Sequence, residues 1–367
     1  MMKKLVVLII LIFAFGFQVS ATDVYEDTVN NSDIKQIEGV LPDEVKDFFE
    51  KNEIDITDAN WNKNLTVRSV FSHIWSFFQS GGHAPFRAFC SIIAVMILAA
   101  ATRAFTLENS ELAKSLNFIF SLIVSLTVVD GAIGIIKAAV AAIKGTGTFM
   151  LSFVPIYSGI ILLSGKPTAA GVAGGLLLLA AEIIVEMAAF VIVPLMCAYF
   201  GLGLSSGVSP LIRDSSLSVA VKNIALWILA LTFTAFAGLL SLQTTLTAAA
   251  DTVGVKTAKF FVASFVPVAG PALSEALTTV TASMDLIKSS VGLYAVVAIV
   301  LILLPLIFEM FLWRVVIALS KAVANILSVN AAAVLRAVDS LLALLLGMIL
   351  FVGALFIISI SVLIKNG

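Results

Sequence analysis

Long apolar runs separated by short polar stretches dominate the chain from residue 86 onward. A helix needs about 20 apolar residues to cross the hydrocarbon core of a bilayer, and six of these runs reach that length. They predict membrane segments at 86–105, 116–136, 172–200, 219–242, 291–313 and 338–363. The expected fold class is therefore an all-α polytopic membrane protein with about six transmembrane helices.

The N-terminus carries a separate apolar run that is too short for a full span. Two lysines precede it, and the small residues that end at Ala21 follow it. This arrangement is typical of a secretory signal peptide, which we predict over residues 1–21. An uncleaved first membrane helix is the alternative, and either version sends the next segment across the membrane.

Residues 22–85 form a polar, acidic segment ahead of the membrane domain, which we assign to 86–367. Between Thr22 and Val70, twelve acidic residues face five basic ones. A short amphipathic helix is predicted from Leu41, with Val45, Phe48 and Phe49 on one face. We interpret this segment as a short extracytoplasmic cover or partner contact, because it is too short for a catalytic domain with its own core.

The string Ser-Phe-Val-Pro occurs at 152–155 and again at 264–267. Pro267 follows Pro155 by 112 residues, and Pro305 follows Pro194 by 111, which predicts an internal repeat of about 111 residues. A proline inside an apolar helix removes a backbone donor. We therefore predict two re-entrant segments broken at Pro155 and Pro267. If these segments cross the membrane instead, the two copies are inverted.

Composition supports the membrane class, because 60% of residues are hydrophobic, 12% are charged, and the mean hydropathy is +1.10. Cys90 and Cys197 both lie in apolar segments, so we interpret them as small buried side chains and predict no disulfide. His73 and His83 flank a stretch rich in aromatic residues. We interpret that stretch as lying at the membrane interface and predict no metal pair.

Two carboxylates stand out within the third predicted span. Glu182 and Glu186 are four residues apart, so a helix places both on one face of an otherwise apolar run. Ionisable groups inside a membrane usually face a cavity or a partner, which makes the pair a candidate for an ion or proton path. An interfacial position, or pairing with a lysine or arginine from another helix or subunit, is the alternative. Structural pairing or snorkelling to the interface is expected for the charged residues near span ends: Asp130, Glu309, Arg314 and Asp339.

Small residues spaced four apart predict close helix packing in two places, at Gly171 with Gly175 and at Gly203 with Gly207. The sequence contains no glycine-rich phosphate loop, no Ser-His-Asp set, no metal-ligand cluster and no basic nucleic-acid patch. We therefore predict no enzymatic activity, no cofactor, no metal and no nucleic-acid partner.

The stretch Ser241 to Val280 carries a family resemblance. Its most distinctive part is Thr257 to Phe260, directly ahead of the second Ser-Phe-Val-Pro. From about residue 86 to the C-terminus the chain resembles the stage III sporulation protein AE family of endospore-forming Firmicutes.

That resemblance implies a multi-pass protein of the mother-cell membrane around the forespore. It implies a non-enzymatic subunit of a channel or secretion-like complex that is needed for forespore development and late forespore gene expression. The implied partners are other stage III sporulation membrane proteins, including an ATPase and ring-forming components, together with membrane lipid and further copies of the chain. Two alternatives stay open. One is a stand-alone secondary transporter with a site built around the two prolines and the Glu182–Glu186 pair. The other is a structural membrane scaffold for ring proteins.

Overall fold

A computed structural model describes residues 36–58, 61–81, 83–104, 111–164, 166–208, 216–239, 241, 270–327, 329 and 331–366. The predicted signal peptide and the second Ser-Phe-Val-Pro copy lie outside these residues. Within the described ranges every regular element is helical, so the prediction of an all-α class is confirmed.

Four short elements form what we call the N-terminal cover, defined as the described residues between 36 and 81. They are α1 (Gln36–Gly39), α2 (Asp43–Lys51), a 3₁₀ turn (Trp61–Asn64) and α3 (Val67–Gly81). The apolar face predicted for α2 is confirmed, since Val45, Phe48 and Phe49 are all buried. The opposite face of α2 is acidic and exposed, and a helix with two such faces must pack its apolar face against another element.

The membrane domain is a bundle of long helices: α4 (Ala84–Ala104), α5 (Glu111–Leu163), α6 (Pro167–Glu186), α7 (Val193–Val208), α8 (Ser216–Leu239), α9 (Gly270–Ile326) and α10 (Ala332–Asn366). A π-helical segment, Met187–Ile192, joins α6 to α7 without a break. The described part of the chain thus holds six helices that are long and apolar enough to cross a membrane, as predicted.

The core of the bundle is formed by α5, α9 and α10, and α9 runs antiparallel to the other two. Tyr157 and Gly131 of α5 meet Lys288 and Trp313 of α9 at opposite ends of the contact. At a rise of 1.5 Å per residue, α5 is about 80 Å long and α9 about 85 Å long. Both helices are therefore more than twice as long as the roughly 30 Å hydrocarbon core requires.

The first predicted break is not observed, because α5 runs through Pro155 as one helix. Pro155 and Leu151 are both exposed on the outer face of the bundle. Because proline has no N–H, the carbonyl of Leu151 does not receive the usual helical hydrogen bond from residue 155. The described helices also do not show the internal repeat: a π-helical segment precedes Pro194, whereas Pro305 lies inside the α-helix α9.

The prediction that both cysteines are buried is wrong. Cys90 of α4 and Cys197 of α7 are free thiols on exposed faces of the bundle. Their neighbours in the sequence are apolar because the outer face of a membrane helix is apolar, as its packed face is. An apolar sequence context therefore does not show that a residue is buried.

Candidate functional site

The N-terminal cover is anchored on α9 by a cluster of aromatic rings around Tyr294. The ring centroids of Phe49 and Tyr294 are 4.6 Å apart, and those of Trp61 and Tyr294 are 5.6 Å apart in an edge-on arrangement. The indole nitrogen of Trp61 donates a hydrogen bond of 2.9 Å to the hydroxyl of Ser290, one turn away from Tyr294. Aromatic contacts of this kind add about 0.5–1.5 kcal/mol each beyond the area they bury. The cover is therefore attached to α9 by packing and by a directed hydrogen bond.

The segment of α9 that receives the cover is itself fixed by its neighbours. The hydroxyl of Tyr157 on α5 donates a hydrogen bond of 3.0 Å to the carbonyl of Lys288. At Gly292 an added Cβ would lie 2.5 Å from Ile364, so α9 and α10 approach closely here because this position has no side chain. The cover therefore docks on a rigid junction of three helices.

A cleft of about 840 Å³ opens between the cover and the bundle. Its rim comes from α2 and α3 and includes Glu44, Asp47, Lys51 and His73. Its floor comes from the long helices, with Ala138, Ala141 and Ala142 on α5 and Leu301, Pro305 and Leu306 on α9. Glu309 lines the cleft one turn beyond Pro305. A concave surface with an apolar floor and a few convergent polar groups has the general form of a ligand site.

His73 is half-buried in the rim, where its ring packs against Phe48 with centroids 5.0 Å apart. Burial lowers the pKa of His73 below its ordinary value of 6.5; nearby Lys51 lowers it further, and Glu44 opposes the shift. The neutral imidazole is therefore favoured in the docked cover. His83 lines a different cavity together with Arg87 and Trp313, so the two histidines do not share a site. In the part of the chain that the structure describes, no group of three potential metal ligands comes together.

A charge network connects α9 to α10 away from the cleft. The guanidinium of Arg314 lies 3.2 Å from one oxygen of Asp339, and the ammonium of Lys321 lies 2.6 Å from the other. Each of these side chains is roughly a third exposed or less. The expected structural pairing of Arg314 and Asp339 is thus present, and Lys321 adds a partner that the sequence reading did not name.

Glu182 and Glu186 both lie exposed on the outer face of α6, and neither lines the cleft under the cover or the cavity beside His83. Their apolar neighbours on this face, Leu179, Ile183 and Phe190, are also largely exposed. One cation is close, since the ammonium of Lys144 on α5 lies 5.7 Å from the centre of the Phe190 ring. The pair therefore faces outward, toward whatever surrounds the bundle.

The predicted packing glycines lie in different surroundings. A Cβ added to Gly203 would come within 2.7 Å of Ala337, so α7 and α10 approach closely there. A Cβ at Gly171 or Gly175 would meet no atom within 4 Å, and the close approach of α6 to α5 is instead at Gly174, beside Ser158. Gly207 lies near the C-terminal end of α7, and its surroundings are outside what the structure describes. Pro155 is exposed on α5, and Pro267 lies outside the described residues.

Sequence reasoning did not name Tyr294, Trp61 or Ser290 as an anchor. One signal was present in the sequence: Trp61 is a tryptophan in an otherwise polar segment, and such a residue usually needs an apolar partner and an acceptor for its N–H. Its partners on α9 are more than 200 residues away in the chain. A contact over that distance carries no local sequence pattern.

The fold and its docked cover define an all-helical, multi-pass membrane protein with an N-terminal segment packed along the side of a long central helix. The sequence model of the stage III sporulation protein AE family matches residues 46–367. The chain belongs to this family, and its membership supports a role in sporulation. The family is not a known family of enzymes.

A curated relative from Bacillus subtilis, the stage III sporulation protein AE, is 24% identical to this chain over 265 residues. The aligned part covers 72% of this chain and 65% of the length of the relative. The chain therefore spans slightly less than two-thirds of that relative in the alignment. No solved structure matches this chain.

Proposed function

We propose that this chain is a non-enzymatic membrane subunit of a channel or secretion-like complex between mother cell and forespore. Family membership supports the link to sporulation. In this proposal the chain lies in the mother-cell membrane around the forespore and works with other stage III sporulation membrane proteins. These include an ATPase and ring-forming components.

The observation that carries the proposal is the outward-facing carboxylate pair on α6. Glu182 and Glu186 are exposed near the middle of a candidate span, among exposed apolar side chains. A charged side chain at the centre of a membrane helix costs about 2.5–3.5 kcal/mol on insertion scales. A neighbouring subunit that supplies basic or hydrogen-bonding groups would remove this cost, whereas lipid would not.

The same observation argues against the stand-alone transporter. A transport site built around Glu182 and Glu186 would place them in a cavity or between helices of the same chain. In this fold they are exposed on the outer face of α6 and line neither the cleft under the cover nor the cavity beside His83. The scaffold alternative differs from the proposed channel subunit only in whether anything passes through the complex.

Purification of the tagged chain from sporulating cells tests the proposal. We expect stoichiometric recovery of other sporulation membrane proteins, and we expect Glu182→Gln with Glu186→Gln to reduce that recovery and lower sporulation. The matched control is Lys222→Gln, which changes a charge on a different helix, α8. Recovery of the chain alone from fully functional membranes would contradict the proposal.

A further inference from the structure

The ionisable groups of the cleft beneath the cover are unbalanced in sign. Two exposed carboxylates, those of Glu44 and Asp47, line its rim against one ammonium group, that of Lys51, and the half-buried carboxyl group of Glu309 lines its floor. His73 adds no charge when its imidazole is neutral. The cleft therefore favours a positively charged ligand over a negatively charged one.

The floor of the cleft adds apolar surface. Ala138 and Ala141 on α5 leave room opposite Leu301 and Leu306 on α9, and all four side chains are apolar. Pro305 lies between those two leucines in the sequence and adds its apolar ring to the lining. The floor thus provides apolar contact for the body of a ligand.

We propose that this cleft binds an amphipathic organic cation. The apolar body of the ligand packs on the α5–α9 floor, and its positive group is held at the rim by the exposed carboxylates of Glu44 and Asp47. The cleft volume of about 840 Å³ lies within the range of about 300–1,000 Å³ that is usual for small-molecule sites. This site lies apart from the outward face of α6, so it goes beyond the role in a complex.

The test compares two ions of the same shape and opposite charge, tetraphenylphosphonium and tetraphenylborate, binding to the full chain in neutral detergent micelles. We expect saturable binding of tetraphenylphosphonium, and binding of tetraphenylborate at least about tenfold weaker, a difference of about 1.4 kcal/mol. Equal saturable binding of both ions would show that only the apolar floor matters and would overturn the proposal.

A glycine in the cleft provides a way to fill it. Gly145 lines the cleft, and a Cβ there would meet no atom within 4 Å, so Gly145→Phe places a ring in the cleft without a clash at its first atom. We expect this variant to lose saturable tetraphenylphosphonium binding. The matched control is Gly134→Phe on the same helix, which has equal room and does not line the cleft. Unchanged binding in Gly145→Phe would overturn the proposal.

A further test changes the charged rim of the cleft and substitutes no residue between the packed helices. Glu44 and Asp47 are exposed on α2, so Glu44→Gln with Asp47→Asn leaves the packing of the cover intact. We expect the double variant to weaken tetraphenylphosphonium binding at least about fivefold and to leave tetraphenylborate binding unchanged or stronger. Asp43→Asn, on the same helix but outside the cleft, should have no effect. If the double variant behaves like Asp43→Asn, the assignment of a cation is wrong.

Discussion

The rings of Phe49 and Tyr294 lie 4.6 Å apart between centroids, at an angle of 44° between their planes. Phe49 belongs to the short acidic cover and Tyr294 to the central helix α9, and both side chains are buried. This contact joins the part of the chain with the most polar sequence to one of the most apolar helices. The N-terminal cover is thus an integral part of the membrane domain rather than a free tail.

The first prediction concerns this contact. Phe49→Ala should weaken the docking of the cover by about 3 kcal/mol, as expected for removing a buried phenylalanine ring. The measurement is hydrogen exchange of the α2 amides, which reports the free energy of local opening. Phe71→Ala on α3 is the control, because Phe71 is 65% exposed and its loss should change opening by less than about 0.5 kcal/mol. Equal exchange in the two variants would contradict the docking described above.

The second prediction concerns pH. The pKa of His73 is lowered in the docked cover, chiefly by burial, so the undocked state takes up a proton more readily than the docked state. Docking should therefore be fully stable above the ordinary pKa of 6.5 and should weaken as the pH falls from that value toward the lowered pKa.

Fluorescence of the buried Trp61 during acid titration provides the measurement for this pH effect. His73→Gln should remove the part of the dependence that lies below pH 6.5, while His83→Gln, in a different cavity, should retain it. Docking that strengthens with acid, or an unchanged titration in His73→Gln, would show that the lowered pKa plays no role.

The third prediction uses two glycines one turn apart on α5. A Cβ at Gly131 would lie 2.2 Å from the ring of Trp313, whereas a Cβ at Gly134 would meet nothing within 4 Å. Gly131→Ala should destabilise the bundle by about 1–3 kcal/mol through overpacking, because the indole cannot move aside cheaply. Gly134→Ala should be neutral or slightly stabilising, since alanine favours a helix over glycine. Thermal unfolding in detergent measures both, and equal stability would contradict the packing of α5 against α9.

The fourth prediction concerns the ion network between α9 and α10. Asp339→Asn removes the charge that Arg314 and Lys321 share, and it should lower stability by about 1–2 kcal/mol. That value lies between the small effect of exposed pairs and the larger effect of buried ones, because these side chains are partly exposed. Arg336→Gln, one turn away and exposed, serves as the control and should change stability by less than about 0.5 kcal/mol. The loss of stability in Asp339→Asn should be smaller at high salt than at low salt, because salt screens the ion pairs.

Local pattern predicted much of this fold. Hydropathy and length gave the six membrane helices, and the spacing of Val45, Phe48 and Phe49 gave the buried face of α2. These features depend on neighbours in the sequence, so the sequence displays them directly.

Features that depend on distant contacts could not be predicted. The sequence predicts a break at Pro155, and the local pattern does not reveal that α5 continues through it. The docking of the cover on α9 could not be predicted, because its partner Tyr294 carries no sequence mark that separates it from other aromatic residues. For Glu309 the sequence predicts structural pairing or snorkelling, and it does not reveal that this residue also lines a cleft whose opposite wall comes from a segment about 250 residues earlier.

In the proposed function, this chain works as a subunit whose outward α6 face meets another protein. A photo-crosslinking residue placed at Ile183, which is 54% exposed between Glu182 and Glu186, tests it in sporulating cells. The same residue at Ile184, which is 3% exposed, is the matched control. We predict a crosslink from position 183 to another sporulation membrane protein or to a second copy of the chain, and only crosslinks within the chain from position 184. Adducts with lipid alone at position 183, in cells that sporulate normally, would contradict the claim.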